Sequence, residues 1–135
     1  MLDETAKGVF TIAVTPFLPD GALDLDSIDR MVDFYLEKGA TGLTILGMMG
    51  EAGKLSAEES HTVVTRVTAR APVPVVVGVS APGFAAMEAL ARASMDAGAA
   101  GVMVAPPSAL RTDAEIRGYY ANTADVLGEI PFVLQ

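Results

Sequence analysis

The chain has 135 residues, 51% of them hydrophobic, and this length and composition indicate one folded domain rather than a disordered segment. Nine Lys and Arg against seventeen Asp and Glu give a formal net charge of −8 without a basic cluster, which argues against binding to nucleic acid or to an anionic membrane. The absence of cysteine excludes disulfides and thiolate metal sites, and no apolar run approaches the length of a membrane span, so we expect a soluble cytoplasmic protein.

Five short apolar runs, rich in β-branched residues, are each too short for a helix and predict β-strands. They span residues 9–14, 43–46, 73–77, 102–105 and 131–134. The runs are nearly continuous in hydrophobicity rather than alternating with polar residues. This pattern is typical of a parallel sheet that is covered on both faces.

Four helical stretches lie between these strands, and most of their ends carry recognisable signals. The start and end signals are Asp24 or Asp26, Gly39, Ser56 with Glu59, Gly98, Thr112 with Glu115, and Gly128. Ser or Thr followed three residues later by Glu forms a capping box, and Gly adopts the left-handed conformation that ends many helices. The predicted order of elements is therefore β-α-β-α-β-α-β-α-β.

An internal similarity supports this division into units. Residues 37–43 (EKGATGL) resemble residues 96–102 (DAGAAGV), two βα units of about thirty residues further on. Such units build either an open doubly wound sheet or a (βα)8 barrel, and a barrel needs about 250 residues. Both α/β architectures remain open at this point.

The last predicted strand, 131–134, is followed only by Gln135. A buried parallel strand needs a neighbouring strand and a covering helix. We therefore expect the sequence to be the first part of a longer domain. The alternatives are a complete flavodoxin-like domain and a chain that pairs two half-barrels.

The glycine-rich stretch GMMGEAGK, residues 47–54, follows the second strand, where parallel α/β folds bind ligands. A phosphate-binding P-loop is excluded, because Met48 stands where the first glycine is needed and Leu55 stands where Ser or Thr is needed. The glycine spacing also differs from the dinucleotide-binding pattern. The loop can still present backbone N–H groups to a carboxylate, although a simple turn fits the spacing equally well.

Several blocks together resemble one family. They are Gly8–Phe10, Val14–Phe17, Asp20–Asp24, Gly47–Glu51 and Leu55–Glu59. Their sequences and spacing resemble the dihydrodipicolinate synthase and N-acetylneuraminate lyase family. The resemblance runs along the whole chain and implies that residues 1–135 are one partial TIM-barrel domain, the N-terminal half of a (βα)8 barrel from the first strand to the fifth.

The resemblance also implies a chemistry. Members condense or cleave 2-keto acids, usually pyruvate, through a Schiff base on a lysine of the sixth strand, and they are usually homotetramers built as dimers of dimers. The lysines of this chain are Lys7, Lys38 and Lys54, and none falls in a predicted strand. The essential lysine is therefore expected beyond Gln135. We expect no cofactor and no metal.

The resemblance further implies candidate site residues and departures from the family pattern. The synthases carry Gly-Thr-Thr-Gly-Glu, whose N–H groups bind the substrate carboxylate, where this chain has Gly47, Met48, Met49 and Gly50. When the chain is aligned with the synthases without gaps, Ser108 takes the place of a tyrosine that the synthases contribute across their tight dimer. Gln135 takes the place of a catalytic tyrosine. Thioethers and amides supply neither general acid nor general base.

These departures lead to two hypotheses of different class. The first is a divergent lyase or aldolase that acts on a pyruvate-type 2-keto acid but does not synthesise dihydrodipicolinate. The second is a non-catalytic barrel that binds a small carboxylate as a regulatory or binding subunit. In either case we expect residues 1–135 alone to be inactive, and the complete protein to form a homo-oligomer.

Overall fold

The computed structural model describes residues 1–135, in which five strands alternate with four α-helices. The elements are β1 (Phe10–Ile12), α1 (Leu25–Glu37), β2 (Gly42–Ile45), α2 (Ala57–Arg70), β3 (Val75–Gly78), α3 (Phe84–Asp96), β4 (Gly101–Val104), α4 (Asp113–Leu127) and β5 (Phe132–Leu134). A short 3₁₀ helix, Ala52–Lys54, lies between β2 and α2. The predicted order of elements is confirmed. None of the helices combines the length and the hydrophobicity that a membrane span requires.

The sheet is parallel throughout, and its strands lie in chain order, β1-β2-β3-β4-β5. A doubly wound sheet reverses its strand order at the point where it changes direction, whereas a (βα)8 barrel adds each strand beside the previous one. The sequential order therefore excludes the doubly wound alternative and confirms the barrel-type α/β fold.

The outer face of the sheet forms the hydrophobic core with the helices. Its buried residues are Leu43, Ile45, Val75, Val77, Val102 and Val104, and they pack with helical residues that include Ile28, Val32, Val64, Val67 and Met87. Side chains on a strand alternate between its two faces. The other set therefore points to the concave inner face, which becomes the inside of a barrel.

The inner face is closed at its lower end by the first residues of the chain. The Leu2 N–H donates to the Ala100 carbonyl at 2.7 Å. A lower cavity of about 240 Å³ lies here, lined by Leu2, Ala6, Phe10, Thr44, Val76, Met103 and Val133. The end of the sheet opposite to the strand C-termini is thus filled mainly by apolar side chains.

The helix ends follow the predicted signals. Asp24, rather than Asp26, caps α1 by accepting from the Ser27 N–H at 2.9 Å. Both predicted capping boxes form, at the starts of α2 and α4. The glycines predicted to end α1, α3 and α4 all have positive φ.

The strand bounds need correction. β1 was predicted over 9–14 but covers only Phe10–Ile12, because it pairs with β2 alone and the chain then turns into an isolated bridge between Phe17 and Leu23. β3 was predicted over 73–77 but begins at Val75, because Pro74 has no N–H for the ladder. The other three predictions differ by one residue at one or both ends.

Helices α1 and α2 are joined by a ladder of ion pairs on the protein surface. The Arg66 guanidinium donates to both carboxylate oxygens of Asp29, each at 2.8 Å. One turn further along both helices, Arg70 donates to Asp33 in the same two-point manner. This arrangement fixes the register between the first two helices of the outer layer.

Candidate functional site

The loop after β2 is bracketed by two residues with unusual backbone conformations. Leu46 and Glu51 both have φ of +54°, in the left-handed region that residues other than glycine seldom adopt. Leu46 is buried, with 3% of its surface exposed, so its side chain is held while its backbone turns. Strained residues of this kind persist where the surrounding structure enforces them, and they concentrate at functional sites.

Three successive N–H groups inside this loop are free. The backbone N–H groups of Gly47, Met48 and Met49 donate to no backbone acceptor, whereas those of Gly50 and Glu51 donate to the carbonyls of Gly47 and Met48 at 3.1 Å. Successive free N–H groups beside a left-handed residue form an anion-binding concavity. We refer to the N–H groups of residues 47–49 as the cradle.

The cradle is anchored from the segment that follows β1. The buried hydroxyl of Thr15 donates to the Gly50 carbonyl at 2.6 Å. A Cβ on Gly50 would lie 3.2 Å from the Leu46 nitrogen and 3.3 Å from the Ala13 carbonyl oxygen. Gly50 therefore serves close packing of the loop against the sheet.

The cradle is also held from β3. A Cβ on Gly78 would lie only 2.3 Å from the Leu46 carbonyl oxygen, a distance that no real Cβ contact reaches. Only glycine allows the Leu46–Gly47 peptide to take this position.

An upper cavity of about 560 Å³ opens beside the cradle, at the C-terminal ends of β2 to β5. It is lined by Leu46, Gly47, Met48, Glu51, Ala52, Gly53, Lys54, Gly78, Ser80, Met103, Ala105 and Gln135. Parallel α/β proteins bind their ligands at this end of the sheet. The loop that carries the free N–H groups thus lies beside a cavity at this end of the sheet.

The polar side chains of the upper cavity are few. Glu51 and Lys54 form an ion pair, with 2.5 Å between the carboxylate oxygen and the ammonium nitrogen, and Lys54 is 76% exposed. The Ser80 hydroxyl accepts from the Ala105 N–H at 2.8 Å, which ties the end of β3 to the end of β4. The cavity therefore contains no unpaired charged side chain.

Two tyrosines of α4 fix the loops around the cavity. The Tyr120 hydroxyl donates to the Gln135 carbonyl at 2.6 Å, while the Gln135 N–H donates to the Val104 carbonyl at 3.0 Å. The Tyr119 hydroxyl donates to the Ala81 carbonyl at 3.1 Å, and burial raises the pKa of this phenol. Tyr119 and Tyr120 therefore act as packing and hydrogen-bonding residues.

The predicted site residues are only partly brought together. Gly47, Met48 and Gln135 line the upper cavity. Met49 and Gly50 belong to the same loop but do not line the cavity; Met49 is 59% exposed, and Gly50 is buried. Ser108 lies apart from these residues, in an exposed turn closed by a bond from the Leu110 N–H to the Pro107 carbonyl.

Sequence reasoning missed residues that shape the site without carrying reactive groups. They are Leu46, Gly78 and Met103. A signal for Gly78 existed, because a glycine that ends a run of valines marks a strand to which another backbone comes close. No comparable signal marks Leu46, whose left-handed conformation is enforced by tertiary contacts.

The chain has few side chains that could act as nucleophiles or metal ligands. Lys7, Lys38 and Lys54 are all exposed, as is His61. No group of three or more His, Asp or Glu side chains could hold a metal ion.

Together, sequential βα units, a parallel sheet and a cavity at the strand C-termini define the chain as the N-terminal half of a TIM barrel. The chain belongs to the dihydrodipicolinate synthetase family, whose family model matches residues 5–134.

Individual relatives agree with this assignment. A dihydrodipicolinate synthase structure from Rhodopseudomonas palustris is 56% identical with a TM-score of 0.94, and the match covers 99% of this chain and 45% of that chain. The 4-hydroxy-tetrahydrodipicolinate synthase of Xanthomonas axonopodis pv. citri is 37% identical over 131 residues, 95% of this chain and 43% of the relative.

A prophage protein of the dihydrodipicolinic acid synthase family from E. coli K12, solved in complex with pyruvate, is 28% identical with a TM-score of 0.83. The match covers 94% of this chain and 43% of that protein. The chain therefore spans less than half the length of each of these relatives.

Proposed function

We propose that the protein carrying this chain is an aldolase-type lyase that acts on a 2-keto acid of the pyruvate type. The observation that carries the proposal is the cradle, three free N–H groups in the loop beside the upper cavity, which Gly47 and Met48 line. Convergent backbone N–H groups form charge-assisted hydrogen bonds with a carboxylate. The pyruvate complex of a structurally similar family member supports the choice of ligand.

The proposed mechanism uses a lysine outside residues 1–135. Its neutral amine attacks the ketone carbon, water leaves, and the resulting iminium draws electrons from the neighbouring C–C or C–H bond. The amine must be desolvated to be neutral near pH 7. Lys7, Lys38 and Lys54 are exposed, and Lys54 is also paired with Glu51, so none of the three is desolvated.

We further infer that the reaction is not dihydrodipicolinate synthesis. Met48 and Met49 stand where the resemblance expects hydroxyl groups, and Gln135 stands where it expects a tyrosine. A thioether donates no proton, and an amide is neither acid nor base near neutral pH. Proton transfer would then pass through water or through groups outside this chain.

The proposed assembly is a homo-oligomer, a dimer of dimers. Ser108 is exposed in its turn and does not line the cavity, which is compatible with a position facing a second protomer. Sedimentation velocity of the intact protein measures the assembly directly, and a monomer at micromolar concentration would contradict it.

Trapping with borohydride tests the proposed function. The intact protein is incubated with pyruvate and sodium borohydride, and its mass and the labelled peptide are measured. We expect one reduced pyruvyl group per chain, on a peptide outside residues 1–135. A label on Lys7, Lys38 or Lys54 would contradict the mechanism. Pyruvate binding without any trapped adduct would favour the alternative, a non-catalytic subunit that binds a small carboxylate.

A further inference from the structure

Tyr119 and Tyr120 are neighbours in α4, but their hydroxyl groups reach different strands. Successive residues of a helix point about 100° apart around its axis. The Tyr119 hydroxyl donates to the Ala81 carbonyl, in the loop after β3. The Tyr120 hydroxyl donates to the Gln135 carbonyl, directly after β5. Each tyrosine therefore holds a different segment at the C-terminal end of the sheet.

The end of β5 is fixed by two contacts to the same carbonyl of β4. The Gln135 N–H donates to the Val104 carbonyl at 3.0 Å, which continues the ladder between β4 and β5 by one residue. The Tyr120 hydroxyl lies 3.4 Å from that Val104 oxygen and 2.6 Å from the Gln135 carbonyl oxygen. Tyr120 thus joins the last residue of β4 to the residue that follows β5.

The ring of Tyr120 is itself held in place. It is half-buried and packs against the hydrophobic core. The rings of Tyr119 and Tyr120 meet edge to face, with 5.8 Å between their centroids. A side chain that packing has already ordered loses little further freedom when its hydroxyl forms a hydrogen bond. The Tyr120 hydroxyl is therefore a fixed anchor for the end of β5.

Gln135 connects this anchor to the upper cavity. Gln135 lines the cavity together with Gly47 and Met48 of the cradle. Its side-chain amide has two N–H donors and one carbonyl acceptor, and none of these groups titrates near neutral pH. The cradle and this amide thus border one cavity.

We propose that Gln135 binds the keto acid through its side-chain amide, and that Tyr120 is a positioning residue that sets where this amide lies. The inference rests on the proposed function, because it takes the upper cavity as the keto-acid site. The Gln135 amide N–H donates to an oxygen of the ligand. The Tyr120 hydroxyl touches no ligand atom and acts only on the backbone that carries the amide.

Calorimetric titration of the intact protein with pyruvate tests the two roles. Gln135→Met keeps an unbranched side chain and removes the amide, whereas Tyr120→Phe keeps the ring and removes the hydroxyl. Each should weaken pyruvate binding by at least about threefold, the effect of losing one ordinary hydrogen bond. The double variant should bind pyruvate as weakly as Gln135→Met alone, because Tyr120 has no further effect once the group that it positions is gone.

Tyr119→Phe is the matched control. It removes a hydroxyl from the neighbouring residue of the same helix, with the loss of one hydrogen bond to a backbone carbonyl. Ala81, which accepts that bond, does not line the upper cavity. Pyruvate binding should therefore stay as it is in the unmodified protein. Urea denaturation establishes that each variant folds.

The results separate the positioning role from a general effect on the fold. If Tyr120→Phe and Gln135→Met weaken pyruvate binding additively, Tyr120 does not act through Gln135 and the positioning role is wrong. Equal losses in Tyr119→Phe and Tyr120→Phe would also overturn it, because loosening of α4 would then explain both.

Gln135→Met decides alone if Tyr120→Phe does not fold. Weaker pyruvate binding by Gln135→Met supports the proposal, and unchanged binding overturns it, since Tyr120 would then position a group that binds nothing. If the unmodified protein does not bind pyruvate at all, the proposed function is wrong.

Discussion

Leu46 and Gly78 together set the direction of the cradle. The left-handed turn at Leu46 starts the loop, and its carbonyl oxygen occupies the space in which a side chain at residue 78 would lie. A leucine tolerates this conformation here because its side chain is buried in the core. A residue with no side chain thus controls the position of the proposed anion site.

The variant Gly78→Ala tests this control. The added methyl group overlaps the Leu46 carbonyl, so we expect a loss of about 1–3 kcal/mol in the free energy of unfolding. We also expect pyruvate to bind at least about tenfold more weakly, because one displaced hydrogen bond to a carboxylate is worth about 1.5–3 kcal/mol. Urea denaturation and calorimetric titration of the intact protein measure the two effects.

Gly118→Ala is the matched control. Gly118 lies within α4, where an added Cβ meets nothing within 4 Å. Alanine should stabilise this helix by about 0.5–1 kcal/mol and leave pyruvate binding as it is in the unmodified protein. Unchanged pyruvate binding in Gly78→Ala would refute the positioning role.

The sequence predicted the ligand loop, but not its geometry. Glycine spacing and the neighbouring blocks identified residues 47–54 and assigned its backbone N–H groups to a carboxylate, a role that stays a prediction. The left-handed turn at Leu46 and the approach to Gly78 depend on contacts between residues about 30 positions apart. Local propensities carry no information about such contacts, so these features emerge only in the folded chain.

At the scale of elements, the outer helices depend on charged contacts. Arg66 donates to Asp29 and Arg70 donates to Asp33, and these hydrogen bonds lower the pKa of both carboxyl groups. The hydrogen bonds of the capping boxes likewise lower the pKa of Glu59 and Glu115. All four groups are more acidic in the folded protein than in the unfolded chain.

This difference predicts how stability depends on pH. Carboxyl groups with a lowered pKa stabilise the fold above their unfolded values, about 3.9 for Asp and 4.3 for Glu, and this contribution is lost as the pH falls through the lower folded values. We expect this stabilisation to persist from pH 7 to about pH 5 and to fall below about pH 4. Urea denaturation at a series of pH values measures it.

The double variant Asp29→Asn, Asp33→Asn serves as the comparison. It removes two of the four titrating groups and should show a shallower decline in the free energy of unfolding at acid pH. An identical decline in both proteins would mean that the ion pairs between α1 and α2 do not contribute to the pH dependence of the free energy of unfolding.

The order and type of the elements were also predictable. Capping boxes, terminal glycines and β-branched runs are local signals, and each marked an element that the structure contains. The extents of the strands were less predictable, because they depend on pairing: Val9 and Val14 lie outside β1, where only one neighbouring strand is present. The choice between barrel and doubly wound sheet likewise depended on strand order.

At the scale of the 135-residue chain, β1 and β5 are paired on one side only. Apolar side chains are exposed at or beside these edges: Ile12, Val14, Val133 and Leu134. Open strand edges with exposed apolar side chains promote association with other chains. Residues 1–135 produced alone should therefore self-associate, which sedimentation velocity measures.

Val133→Lys should reduce this association, because a charged residue on an edge strand opposes pairing. Phe34→Lys is the control, since Phe34 is 52% exposed on α1, away from both edges, and its replacement should leave association unchanged. If the unmodified 135-residue chain were a monodisperse monomer, the open edges of β1 and β5 would not promote association.

Met103 lines both the upper and the lower cavity, and its side chain is the partition between them. The Met103 side chain therefore limits how far a ligand in the upper cavity could reach toward the lower one. Met103→Ala would join the two spaces and admit longer chains, at a cost of about 2–5 kcal/mol in the free energy of unfolding.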